Sequence, residues 1–206
     1  MKKQFFSAIF IACILFVGSA TVDAQAPLSF SGQFGYALPQ GSAFETADGE
    51  NMTRFGLGVD ADALWHFPQT NYRLGVGIAI NSSLLFGADL GGGFDMGLFA
   101  LNLYGVRGYY RFLNSRVSPF GALTLGLAQF GTPEMTFGSG DDAVVVPSRT
   151  ASGFGIRPEI GVEFGRFIVS VGYTIPMSYT INDVDMGTAG SFQFTIGTRI
   201  SMFNRN

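Results

Sequence analysis

A two-residue alternation runs almost the whole length of this chain, and it limits the possible folds more than any other feature. Phe55, Leu57, Val59, Ala61, Ala63 and Trp65 alternate with Arg54, Gly56, Gly58, Asp60, Asp62 and Leu64. Successive side chains of a strand point to opposite faces, so this segment makes a strand with one apolar face and one small or polar face. The pattern returns with Tyr72, Leu74, Val76, Ile78 and Ile80 against Arg73, Gly75, Gly77, Ala79 and Asn81. It appears again with Phe192, Phe194, Ile196 and Ile200 against Gln193, Thr195, Gly197 and Arg199. Eight such runs are predicted, at 28–38, 54–67, 72–85, 96–112, 117–130, 153–164, 167–177 and 192–203. The fourth is the least regular, because Phe99, Leu101 and Leu103 carry apolar groups on the parity assigned inward.

The predicted connections, 39–53, 68–71, 86–95, 113–116, 131–152, 165–166 and 178–191, alternate long and short without exception. A soluble sandwich, or a soluble lipocalin-like carrier, which is the remaining alternative, has no reason to sort its loops this way. Outer-membrane barrels do, with short periplasmic turns and long extracellular loops. Composition agrees: 47% of residues are hydrophobic, only 13% are charged and 29 are glycine, yet beyond the N-terminus no apolar run is long enough for a membrane helix. Apolar surface spread at period two belongs on the outside of a closed sheet in lipid. The expected fold is all-β, an eight-stranded antiparallel up-and-down transmembrane β-barrel over 25–206.

Residues 1–24 read as a signal peptide. Lys2 and Lys3 precede an apolar core over 5–17, and Val22 and Ala24 stand at the small-residue positions of a cleavage site before Gln25. Cys13, the only cysteine, lies in that core. The alternative is a lipoprotein acylated at Cys13, but the apolar run continues past it and Phe10 does not suit a lipobox. After cleavage, no disulfide, thiol nucleophile or cysteine metal ligand is expected.

Aromatic residues gather at the predicted strand ends. Trp65, Phe67, Tyr72, Tyr110, Phe112, Phe164 and Phe167 lie near the short turns, and Tyr36, Phe55, Phe86, Tyr173 and Phe192 near the long loops. This is the girdle pattern of a membrane-spanning sheet. With its glycine-rich strands 119–128 (PFGALTLGLA) and 155–164 (GIRPEIGVEF), the mature chain resembles the small outer-membrane β-barrel families of the porin-like and opacity-protein type. The resemblance implies fold and an outer-membrane location, reached through the periplasm, and it carries no catalytic motif. The chain departs from the usual aromatic last residue, because Asn204, Arg205 and Asn206 follow Phe203.

Charge placement is the best guide to a site. Asp60, Asp62, Glu159 and Glu163 fall on inward positions, as do Arg54, Arg73, Arg107, Arg111, Arg157 and Arg199. An eight-stranded lumen is just wide enough for its own side chains, and buried charges need partners. An arginine–carboxylate plug is therefore expected, with a narrow conduit for small or apolar solutes as the alternative. Glu45, Asp48, Glu50, Asp89, Asp95, Glu134, Asp141, Asp142, Asp183 and Asp185 lie in or beside the long loops. Such a rim could attract divalent cations that bridge to lipopolysaccharide phosphates, although simple solvation explains it equally well. The expected partners are outer-membrane lipids and lipopolysaccharide, with any protein partner unknown. No basic patch points to nucleic acid, and no cofactor or metal cluster is expected. Lipid A acyltransferases and deacylases exist on eight-stranded barrels, but the only histidine, His66, falls beside a short turn, where packing next to Trp65 is expected and catalysis is not.

Overall fold

The computed structural model describes residues 27–45, 49, 51–87, 95–137, 144–181 and 184–202. The expected signal peptide and Phe203 lie outside these residues. Eight strands form the wall: β1 (Leu28–Gln40), β2 (Thr53–His66), β3 (Leu74–Gly87), β4 (Leu98–Arg111), β5 (Val117–Thr132), β6 (Arg149–Phe164), β7 (Phe167–Ile181) and β8 (Val184–Met202). Each pairs antiparallel with its sequence neighbour, and β1 closes on β8 from Leu28↔Met202 to Gln40↔Gly190. The expected barrel is the observed one.

The exterior is a continuous apolar belt. Phe34, Val59, Ile78, Val106, Leu125, Ile160, Phe167 and Ile196 are all exposed, one on each of the eight strands in turn. An apolar surface this extensive is unfavourable in water, and on a closed sheet with no free edge it is the face that meets lipid. Gly105 and Gly126 oppose one another across β4 and β5, and there the wall is drawn so tight that a Cβ on Gly126 would lie 2.0 Å from the Tyr104 carbonyl oxygen.

The structure departs from the sequence reading at the long-loop end. The expected loop 178–191 is mostly strand, since β7 runs on to Ile181 and β8 begins at Val184. Beyond the lipid belt an outward residue need not be apolar, so the alternation fades while the backbone pairing continues. Three short segments, Asp95–Met96, Met135–Phe137 and Val144–Val146, form a small antiparallel sheet between two of the long connections. Arg54 is also corrected. The register shifts between Thr53 and Phe55, so Thr53 is buried and Arg54, the bulged residue, is exposed instead of facing the lumen.

The lumen has two zones. Near the long loops it is apolar, with Leu85, Phe99, Leu101, Leu103, Phe130 and Tyr179 packed as one cluster. The irregular fourth strand is explained here, because Phe99, Leu101 and Leu103 do face inward and fill this zone. The first long connection folds back as a single 3-10 turn, Ser42–Phe44, and sets Phe44 edge-on against the stacked rings of Phe99 and Phe130 at 5.9 and 5.4 Å. Only 1% of Phe44 remains exposed. Two hydrogen bonds pin the turn to β8, from Ser42 N to Thr188 Oγ1 and from Thr188 N to Ser42 Oγ.

Candidate functional site

The second zone holds the charges, all supplied by alternate strands. Asp60 and Asp62 come from β2, Arg107 and Arg111 from β4, Arg157, Glu159 and Glu163 from β6, and Arg199 from β8. The strands between them contribute small or neutral inward groups: Ser29, Ser31 and Gln33 from β1, Ala79, Asn81 and Ser83 from β3, Ser118 and Thr124 from β5, Ser170 and Thr174 from β7. These short groups leave room for long side chains from every second strand to cross a narrow lumen, while Phe120 and Ile168 from the intervening strands pack with Leu64 and Tyr109 beside the charges.

The eight groups connect end to end with strictly alternating sign. Arg157 grips Asp60 bidentately at 3.0 and 2.7 Å and lies 3.7 Å from Glu159. Glu159 takes both terminal nitrogens of Arg107, at 3.1 and 2.8 Å. Arg107 Nε is 3.3 Å from Asp62, which meets Arg199 at 3.1 Å. Arg199 then reaches Glu163 at 2.7 Å, and Glu163 meets Arg111 at 3.2 Å. Neutral groups complete the shell, with Asn81 donating to Asp60 at 2.9 Å and the Arg199 guanidinium 4.3 Å over the Tyr109 ring. Taking each ion out of water costs several kcal/mol, and this chain of opposite charges offsets that cost. Four acids against four arginines leave the network formally neutral.

Space for the network is provided by absence as well. A Cβ on Gly172 would fall 2.2 Å from Arg157 Nη2. Arg157 is wholly buried and held on two oxygens of Asp60, so it has no room to yield. Gly172→Ala is expected to cost about 1 to 3 kcal/mol as overpacking. A urea titration of the barrel in lipid vesicles checks this, and an unchanged midpoint would mean that Arg157 is free to move.

Arg73 does not join the network. It sits in the turn before β3 and donates to the Phe112 carbonyl at 2.7 Å, because the strand starts one residue after it. Trp65, Tyr110, Phe112, Phe164 and Phe167 are exposed around the short-turn end, with Phe67 and Tyr72 half-buried beside them. At the opposite end the rings of Tyr36, Phe55 and Phe86 form a row, 6.1 and 5.5 Å apart. His66 corrects the packing expectation. It faces inward, away from Trp65, bonds Ser29 Oγ through Nε2 at 2.8 Å and meets the Tyr109 ring edge-on. Its even-numbered parity, shared with Asp60 and Asp62, was the available signal. Among the described residues no group of three His, Cys, Asp or Glu could hold a metal. Of the acidic loop residues, Glu45, Glu134 and Asp185 are exposed, Asp95 lies in a short strand, and Asp48, Glu50, Asp89, Asp141, Asp142 and Asp183 fall outside the described residues.

No protein-family model and no curated protein matches the chain. Solved structures do. Ail, the attachment invasion locus protein of Yersinia pestis, in complex with the heparin analogue sucrose octasulfate, superposes with a TM-score of 0.51 at 16% identity, covering 84% of this chain and 99% of Ail. Neisserial surface protein A gives a TM-score of 0.51 at 17% identity, covering 86% and 98%. The outer membrane enzyme PagL matches more loosely, with a TM-score of 0.40 at 16% identity over 84% and 99%. What this chain shares with Ail and Neisserial surface protein A is their fold, the closed eight-stranded β-barrel of outer-membrane proteins.

Proposed function

We propose that the protein is an exported, integral outer-membrane barrel whose lumen is closed, and that it acts through its wall and its exposed loops without catalysing a reaction. The observation that carries this reading is the unbroken charge chain from Asp60 to Arg111, overlaid by the apolar zone that Phe44 stoppers. The two barriers have opposite solvation, so a solute suited to one meets the other unmatched. The short turns face the periplasm, as in barrels of this type. The one histidine supports a non-catalytic role, being buried at the short-turn end with Ser29 as its partner.

The long-loop end would meet the surroundings of the cell. Ail holds a polyanion in its complex, but that ligand chemistry does not suit a rim where exposed Glu45, Glu134 and Asp185 stand beside exposed Arg54 and Arg149 and every other charged residue of the long loops is acidic. A basic surface, or lipopolysaccharide phosphates bridged by divalent cations, fits the charge better. Planar-bilayer recording of the full chain tests closure. The wild type is expected to be silent, and Phe44→Ala is expected to remain silent because the charges below still block the path. Steady ion-selective current from the wild type would replace this reading with the conduit.

A further inference from the structure

One stretch of the lipid-facing wall is not apolar. Ser82 on β3 pairs with Asn102 on β4, Asn102 with Gln129 on β5, and Gln129 with Ser152 on β6. Their chain neighbours Ser83, Leu101, Leu103, Ala128, Phe130 and Ala151 are buried in the lumen, so by alternation all four point outward. Side chains opposite one another in an antiparallel sheet lie about 5 Å apart, which makes the four one continuous polar row. The row stops at β2, where the partner of Ser82 is the exposed Val59.

This row lies inside the apolar belt. The next register row toward the short turns is Ile80, Tyr104, Leu127 and Phe154, all exposed. On the long-loop side, Phe86 and its register partner Leu98 are exposed beyond Ser82 and Asn102. Within the row one hydrogen bond is made, from Ser82 Oγ to Asn102 Oδ1 at 2.6 Å. Among the described residues the Asn102 amide nitrogen, the Gln129 amide and the Ser152 hydroxyl have no partner. No water satisfies such groups in hydrocarbon, so they call for a partner that both donates and accepts.

We propose that this row is the interface of a homodimer, in which two barrels lie side by side in the membrane and Asn102 and Gln129 pair reciprocally with Gln129 and Asn102 of a second copy. The inference rests on the outer-membrane reading above. An amide carries both donor and acceptor, so the row complements itself, as a two-fold interface requires. It holds no charge, so pairing brings no like charges together. Ala100 and Gly131 are register partners in the row beyond it, and such short side chains let two walls approach closely. Lipid tails offer the row nothing, and headgroups lie at the level of the aromatic girdle, where Phe55 pairs with Phe86.

Sedimentation equilibrium of the full chain in neutral detergent micelles tests this. Wild type is expected to dimerise reversibly. Asn102→Leu combined with Gln129→Leu, which suits the lipid face and leaves the lumen untouched, should weaken the dimer about fifty-fold, as expected for two pairs of amides each joined by two hydrogen bonds. Gly131→Phe should abolish it, because a Cβ there meets nothing of its own wall closer than 3.8 Å while the ring holds a second barrel away. Both variants should still insert into vesicles as folded barrels, which separates a lost interface from a lost fold. A monomeric wild type, or a dimer that either variant leaves intact, would overturn the proposal. If that monomer retains lipopolysaccharide in native mass spectrometry and the double leucine variant does not, the row belongs to the lipid instead. A wild type that fails to enter vesicles at all would overturn the membrane reading, and this inference with it.

Discussion

Arg107→Ala is expected to destabilise the barrel by about 3 to 5 kcal/mol, the cost of leaving a buried charge without its partner. Arg107 is the hub of the charge chain, being 1% exposed and shared between Glu159 and Asp62. Without it, Glu159 keeps a hydrogen bond with Ser170 and the 3.7 Å approach of Arg157, which is already committed to Asp60. Glu159→Ala should cost less, since Arg107 retains Asp62 and Arg157 retains Asp60. The double variant should fall well short of the sum of the two, because groups within one network do not add. Urea unfolding of all three variants in vesicles measures this. If the single variants leave the midpoint unchanged and bilayer recordings instead show altered ion selectivity, the lumen is wet and the plug reading fails, since solvated pairs contribute only about 0 to 1 kcal/mol.

Ile80→Arg should cost about 2 to 4 kcal/mol if the apolar belt is solvated by lipid, because a charge near the bilayer midplane must be dragged from the interface. Ile80 lies on the outward face of β3, between Phe86 toward one girdle and Tyr72 toward the other. Gly58→Ser is the control. It faces the lumen, where a Cβ would lie 3.1 Å from the Gln193 side chain and ask it to shift only slightly. Should the serine prove more damaging than the arginine, the faces of β2 and β3 would have to be exchanged, because a slip of one residue inverts a strand.

The wall was legible in the sequence because lipid outside and a crowded lumen inside both act on every residue of a spanning strand, and that leaves period two in the text. Asp60, Asp62, Glu159 and Arg199 could be placed inward by parity alone. Parity fails wherever the backbone breaks step or the solvent changes. Arg54 has inward parity, but a bulge turned it outward. Arg73 has it too, but it precedes the strand and spends its donors on a carbonyl. The apolar half of the lumen looked like an error in the fourth strand, since nothing local says that Phe44, from a loop read as solvated, returns to cover Phe99 and Phe130. The β7–β8 hairpin outgrew its expected length for the converse reason: outside lipid, the two faces of Thr180 and its neighbours are no longer distinguished.

The supply of lumen charges by every second strand bears on how the sheet finds its correct closure. Arg199 stands near the end of the chain and must meet Asp62 of the second strand and Glu163 of the sixth. A sheet that closed with six strands or ten, or with β8 slipped by two residues along β1, would keep its apolar exterior and its backbone ladder, and so would look acceptable to lipid. It would, however, strand arginines opposite arginines in a dry interior. The error would be felt across the whole lumen at once, after all strands had been laid down, because no pair of adjacent strands contains both halves of the chain of charges. The ions, which contribute little net stability over an apolar filling, thus distinguish this strand number and register from closures that backbone pairing and lipid would accept alike.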